Sequence, residues 1–495
     1  MSLLTILHRH KEKTGSSGEE KILKHYEVLI IGAGTAGLSA QKEVAKTTDN
    51  YLVVDSGPLG TTCARVGCMP SKVLIEAAHI FQQRTKFNAI GASACESKLD
   101  SAALLRHVRQ LRDRFVNGVK KDMEPWMSTH LRSAQARFVG AGELELDGER
   151  ITADKIIVAT GSEATVPAPW RAAGQVLHTT DTFFEMETLP ASLAVLGAGA
   201  IGLELSQALA RLGVKVTLFG EPGSLGNISD PEIRRYATPR FREELEFVEG
   251  LVDAVAAHEQ GVEITVGSQK YHAEKVLVAI GRAPRVRDLN LKALGQPLNK
   301  KGLPPLDKDM RVEGSNVFFV GDVNGIRPIL HEAADQGRSV GREPSENPAD
   351  EPRARARLAI TFTYPQIAVA GKNFKELEES AEDFVFGEAR FDGQGRALAK
   401  LENVGMIRVY ARRTCGLMLG AELFAPAGEH LAHLLCWAID SEATVFDLLR
   451  RPFYHPTLEE GLRTALRDLS HKVEIEPKPW SYLHSMDPPA GTYCP

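Results

Sequence analysis

Short apolar runs that stop at glycines, separated by stretches of helical spacing, set the organisation of this chain. Residues 27–31 (EVLII) form a β-branched run ending at Gly32, as a buried parallel strand should. Helical spacing follows through Leu38 and Val44, and a second apolar run covers 51–54. The same order of strand, glycine turn, helix and strand returns with 193–196 (LAVL), the turn at Gly197, helical spacing through Leu212 and the run 214–219. Two nucleotide-binding units are therefore expected. Further apolar runs at 156–159, 276–280 and 317–320 lead into Gly161, Gly281 and Gly321, the kind of strand end where α/β sheets place ligands. A stretch rich in Pro, Glu, Asp and Arg at 343–357 predicts a boundary. Beyond it, 358–363, 382–389 and 406–410 predict strands, and 427–440 and 457–469 predict helices. These do not alternate as βαβ units, which predicts an α+β domain without a nucleotide turn.

A chain of 495 residues is too long for one core, so about three domains are expected. Charged residues at 25% and hydrophobic residues at 43% are ordinary for a globular enzyme. A net charge of −5 and a pI near 6.3 give no basic footprint for nucleic acid. No apolar run approaches the roughly 18 residues of a membrane span, and the first residues, MSLLTILHRHKEK, are too short for a signal-peptide core. A cytoplasmic protein with no membrane insertion is the expectation. Of six cysteines, Cys95, Cys415, Cys436 and Cys494 are scattered. Cys63 and Cys68 stand close together, and in a reducing compartment such a pair is catalytic or metal-binding more often than structural.

The first turn, Gly32-x-Gly34-x-x-Gly37, permits a tight bend, backbone approach to a pyrophosphate and close helix packing. Asp55 ends the next strand, where a ribose hydroxyl needs an acceptor. The second turn, Gly197-x-Gly199-x-x-Gly202, has the same context. Its acid, Glu221, comes one residue later than the simplest register, and no Arg or Lys adjoins it to receive a 2′-phosphate. NAD is favoured over NADP. The cysteine segment, LGTTCARVGCMPSK over 59–72, has C-x4-C spacing rather than the C-x2-C of zinc knuckles. Pro70 and the apolar positions after it place a helix start near the pair, and Lys72 adds a positive charge. Both favour thiolate over thiol.

This segment resembles the G-G-T-C-x-x-x-G-C-x-P-S-K signature of the class I pyridine nucleotide-disulfide oxidoreductases, which include dihydrolipoamide dehydrogenase, glutathione reductase and mercuric reductase. The resemblance runs from about residue 25 to 470. It includes 157–162 (IVATGS), 279–284 (AIGRAP), 319–323 (FVGDV) and 451–460 (RPFYHPTLEE). The resemblance implies an α/β fold of two nested Rossmann-like FAD- and NAD(P)-binding domains plus a carboxy-terminal α+β dimerisation domain. The expected boundaries are an extension 1–24, FAD-binding parts 25–165 and 285–350, an NAD(P)-binding domain 166–284, a dimerisation domain 358–470 and a tail 471–495. It further implies that Cys63 exchanges with substrate, while Cys68 lies against the flavin and gives a thiolate-to-flavin charge-transfer band. Lys72 and Glu204 would pair near flavin N5, and His455, oriented by Glu460, would move protons to and from the thiols. Gly32, Gly34, Gly37, Asp55, Thr62, Lys72, Thr160, Gly161, Asp322, Leu330 and His331 would line FAD. Gly197, Gly199, Gly202, Glu204, Glu221 and Gly281 would line NAD.

Within the family, Pro70-Ser71-Lys72 resembles the lipoamide and mercuric branches. An adjacent cysteine pair at the end, typical of mercuric reductase, is replaced here by the single Cys494. Dihydrolipoamide dehydrogenase activity is the expectation, with a homodimer and a lipoyl-bearing carrier protein as partners. The alternatives are a reductase of another disulfide or of a metal ion, or a non-turnover FAD-binding subunit. The chain departs from the family at Thr61 for glycine, Arg65 for asparagine, Phe453 for a second histidine, Tyr454 for alanine, and Thr363-Tyr364-Pro365-Gln366 for T-D-P-E.

Overall fold

The computed structural model describes residues 23–93, 98–342 and 355–475. The extension up to residue 22, most of the boundary stretch, the tail from 476, Cys95 and Cys494 lie outside the described residues. The chain divides into two compact units.

The first unit takes residues 23–57, Trp126–Thr160 and Val286–Arg342. Its central strand, Lys24–Ile31, pairs in parallel with Tyr51–Asp55 on one side and Glu149–Val158 on the other. The ten-residue strand Glu149–Val158 changes partner on its far edge, taking antiparallel Glu143–Leu146 along its first half and parallel Val317–Phe319 along its second. The apolar runs read from the sequence fill this core: Leu29, Ile31, Val54, Ile156, Val158 and Phe319 are buried together. Behind the first glycine turn, helices Thr35–Val44 and Leu330–Gly341 meet backbone to backbone. A Cβ on Gly337 would stand 2.1 Å from the Ala36 carbonyl oxygen, and one on Gly341 2.6 Å from that of Ala40.

The second unit takes Pro58–Pro125, Gly161–Arg285 and the described residues from 355 onward. The cysteine segment therefore clusters with the second nucleotide turn, although chain order sets it beside the first. A parallel sheet of Leu177–His178, Lys275–Val278, Ser192–Leu196, Lys215–Gly220 and Glu246–Glu249 carries the second glycine turn. An antiparallel three-stranded sheet, Ala254–His258, Gly261–Val266 and Gln269–Ala273, adjoins it; the sequence reading missed these strands. The carboxy-terminal region is a five-stranded antiparallel sheet in the order Leu358–Thr361, Gln366–Gly371, Met418–Ala425, Met406–Arg412, Phe384–Arg390. Helices Gly428–Asp440 and Glu459–Ser470 cover it, burying Leu431, Leu435, Leu462 and Leu466 with Ile407, Val409 and Leu423. This is the expected α+β region. Among the described residues, no helix is long and apolar enough to cross a membrane.

Candidate active site

The two glycine turns repeat one geometry. Gly32 and Gly197 adopt φ of +108° and +109°, a conformation L side chains rarely enter. A Cβ on Gly32 would lie 2.4 Å from the Ala159 carbonyl oxygen, and one on Gly197 2.5 Å from that of Ala279. At the third glycine of each turn, Gly37 and Gly202, a Cβ would stand 1.8 Å from the carbonyl of the first. The middle glycines differ. Gly34 and Gly199 precede helices Thr35–Val44 and Ala200–Arg211, and a Cβ on Gly199 would meet nothing within 4 Å. That open space lies over a helix N-terminus, where a pyrophosphate would be held by backbone N–H groups.

In the first unit, Asp55 accepts hydrogen bonds from the Ala33 N–H and the Gly57 N–H, each at 2.6 Å. These bonds fix the carboxylate and leave lone pairs for ribose hydroxyls. Asp322 stands in the turn Gly321–Asn324, which Gln336 holds by accepting from the Gly321 N–H and the Asn324 side chain, both at 2.8 Å. Leu330 and His331 open the helix Leu330–Gly341, and both are exposed. Thr160 closes the stretch ending this unit's central strands. Of these, the glycine turn and the fixed Asp55 carboxylate have the geometry that would hold the pyrophosphate and a ribose of FAD.

In the second unit, Gly161 and Gly281 are brought together by an antiparallel pair, Ser162–Ala164 with Arg282–Pro284, and by Arg282 donating to the Ser162 hydroxyl at 2.8 Å. Glu221 is exposed just past the strand end at Gly220. The Arg234 guanidinium donates to the Gly223 carbonyl at 3.2 Å, so a basic group reaches this loop that sequence neighbours did not reveal.

The cysteines sit on two helices separated by one glycine. Thr62 and Cys63 belong to Thr62–Val66, and Cys68 opens Cys68–Gln83. A Cβ on Gly67 would stand 3.1 Å from the Thr62 carbonyl oxygen, so glycine lets the segments close. Thr61 has φ of +54°, where glycine is favoured. Its side chain accepts from the Ala64 N–H at 3.2 Å, a cap that offsets part of the strain. Arg65 donates to the Pro58 carbonyl at 3.0 Å. Both cysteines are thiols, and they share a hydrogen bond. That bond, donated by Cys63, is the main reason the Cys68 thiol is pulled down to about 6, and the Lys72 ammonium adds to it against the partial desolvation of this otherwise exposed residue. The same bond and burial push Cys63 up. The pair therefore holds its negative charge on Cys68.

Lys72, one turn into the cysteine helix, forms an ion pair with Glu204 of helix Ala200–Arg211 at 2.8 Å, and the Glu204 side chain is only 6% exposed. Glu204, Gln207 and Arg211 lie at helical spacing on that mostly apolar helix, and all three reach the backbone of 362–364. Glu204 accepts from the Phe362 N–H at 2.8 Å, Gln207 from the Tyr364 N–H at 2.7 Å, and Arg211 donates to the Tyr364 carbonyl at 2.7 Å. The sequence reading took only Glu204 from this stripe. Polar residues at spacing 3 and 4 in an apolar helix were the available signal.

His455 Nδ1 lies 3.1 Å from both carboxylate oxygens of Glu460, which also accepts from the Thr457 N–H at 3.2 Å. His455 and the Thr457 N–H together hold the Glu460 carboxyl below its usual range. The His455 side chain is 81% exposed, so it is not packed onto the cysteines of its own chain.

The family model for the pyridine nucleotide-disulphide oxidoreductases matches residues 26–337, and that for their dimerisation domain matches 358–466. A mercuric reductase of Shigella flexneri is 30% identical over 94% of this chain and 83% of its own length. A dihydrolipoyl dehydrogenase of Geobacillus stearothermophilus is 28% identical over 88% of this chain and 94% of its own. The fold is shared with the HOCl-induced flavoprotein disulfide reductase RclA from Escherichia coli, with a TM-score of 0.78 at 21% identity over 90% of this chain and 99% of that one. With two glycine cradles, a polarised thiol pair and these matches, the chain belongs to the pyridine nucleotide-disulphide oxidoreductases, a family dependent on FAD and NAD(P), and carries their dimerisation domain.

Proposed function

We propose that the protein exchanges electrons between NAD(H) and a small dithiol–disulfide of the dihydrolipoyl kind, carried on a partner protein. The observation that carries this reading is the division of labour at the thiols: charge held on Cys68, and an exposed imidazole oriented by Glu460 for proton transfer. A thiol–disulfide reaction needs both.

FAD, when bound, supplies the two-electron relay between nicotinamide hydride and the Cys63–Cys68 disulfide. In the reducing direction, His455 from a second copy of the chain takes the Cys63 proton, and the thiolate attacks a substrate sulfur. The first substrate sulfur leaves and takes that proton back from the imidazolium. Cys68 thiolate then attacks Cys63, the second substrate sulfur leaves and takes up a proton, and the Cys63–Cys68 disulfide re-forms. Oxidation of a dihydrolipoyl group is the reverse sequence. Lys72 and Glu204 form the nicotinamide-side pair.

Steady-state assay with lipoamide, glutathione disulfide and mercuric ion, each with NADH and NADPH, tests the substrate class. The reading expects lipoamide with NADH to give the highest kcat/KM. Preference for glutathione disulfide or mercuric ion would replace it by the corresponding reductase activity.

A further inference from the structure

The Lys72 ammonium has a choice of acids. It forms one wall of a cavity of about 390 Å³ that is also lined by Glu76, His79, Glu204, Arg211 and Glu429. Glu76 lies four residues further along the same helix, a spacing at which Lys and Glu side chains pair. Charge alone therefore does not direct Lys72 to Glu204.

Phe362 supplies the missing constraint. Its backbone N–H donates to Glu204 Oε1 at 2.8 Å, which turns the other carboxylate oxygen, Oε2, to Lys72 at 2.8 Å. Its ring lies under the ammonium, with Nζ 4.5 Å from the ring centroid. A cation over an aromatic face is attracted by the ring quadrupole. The segment bearing Phe362 is itself fixed two residues on. Tyr364 is held to helix Ala200–Arg211 through Gln207 and Arg211, and its ring lies against His79 of the cysteine helix, with centroids 4.0 Å apart and the planes tilted by 41°. Residues 362–364 thus join the helix that carries Cys68 to the helix that follows the second glycine turn.

We infer that Phe362 is a positioning residue, which holds Lys72 on Glu204 and away from Glu76 through its ring and its N–H. The inference rests on the reading of Lys72–Glu204 as the nicotinamide-side pair. Cys68 provides a readout apart from turnover, because the groups acting on its charge are Cys63, Lys72 and Glu204.

The test compares holoenzyme carrying Phe362→Leu, Phe362→Met or Phe362→Tyr with wild type. The first measurement is the pH midpoint of the long-wavelength thiolate band in the two-electron-reduced enzyme. The second is the rate and the concentration dependence of flavin reduction by NADH in stopped flow. Both aliphatic variants should raise the midpoint by about half a pH unit and slow flavin reduction about fivefold at saturating NADH, with NADH affinity within about twofold. Phe362→Tyr should restore both. Midpoint and rate unchanged in the aliphatic variants, or Phe362→Tyr as impaired as they are, would overturn the inference. Loss of FAD or of folding in both aliphatic variants would assign the residue to packing, and would overturn it equally. A wild type whose flavin NADH does not bleach would instead remove the underlying reading.

Discussion

His455 Nδ1 stands 3.1 Å from each carboxylate oxygen of Glu460, so one ring nitrogen is committed to orientation and Nε2 is left for chemistry. An imidazole held this way carries its proton on Nδ1 when neutral, and the adjacent carboxylate stabilises the imidazolium formed when Nε2 takes a second proton.

Glu460→Gln removes that charge while keeping the side chain's size. The variant should lose about 10²-fold in kcat/KM for disulfide substrate, the lower end of what a general acid–base contributes. Flavin reduction by NADH, followed by stopped flow, should stay at the wild-type rate. Equal slowing of both half-reactions would place Glu460 in the structure rather than in proton transfer.

A preference between the nicotinamides is predicted from Glu221. An exposed carboxylate beyond the second strand repels a 2′-phosphate and accepts from a free ribose, and kcat/KM should favour NADH over NADPH by at least about tenfold. Equal or reversed efficiencies would point to Arg234, whose guanidinium reaches the same loop, as the group that sets the preference.

The exposure of His455 motivates a test for a site shared between subunits. If each subunit of a homodimer lends His455 to the other's Cys63, co-production of Cys63→Ser and His455→Ala variants gives mixed dimers in which one site collects both lesions and the other neither. Random pairing makes about half the dimers mixed, so about a quarter of wild-type activity should return. Activity no higher than that of the two variants alone, with mixed dimers confirmed by mass, would place both residues in one subunit.

Much of this was legible in the sequence because it is local. The glycine turns, Asp55 and the C-x4-C pair are each encoded within a few residues, and the strand ends Ile31 and Leu196 fall where the apolar runs stop. What escaped depends on partners distant in sequence. Strand Met418–Ala425 is buried along its whole length yet contains Glu422, which breaks the apolar run. Its carboxylate is satisfied by the Ser229, Asp230 and Phe374 N–H groups and the Ser229 hydroxyl, three of them nearly 200 residues away. Phe362 is likewise silent in sequence: only the fold shows that its N–H and its ring converge on a charged pair. The departure at Thr61 carries a backbone cost that the sequence alone does not reveal, since φ of +54° is where glycine is favoured.

The assignment of charge to Cys68 is tested most directly by the visible spectrum of Cys63→Ser and Cys68→Ser enzymes, taken with the flavin oxidised, across pH. A long-wavelength thiolate band should survive in Cys63→Ser, without disulfide turnover, and vanish in Cys68→Ser. In the two-electron-reduced wild type the band should be lost on acidification through a midpoint at about 6, because the folded thiol is depressed to that value. In Cys63→Ala, which removes the group that donates to Cys68, the midpoint should move upward. A band present in Cys68→Ser and absent in Cys63→Ser would contradict the account.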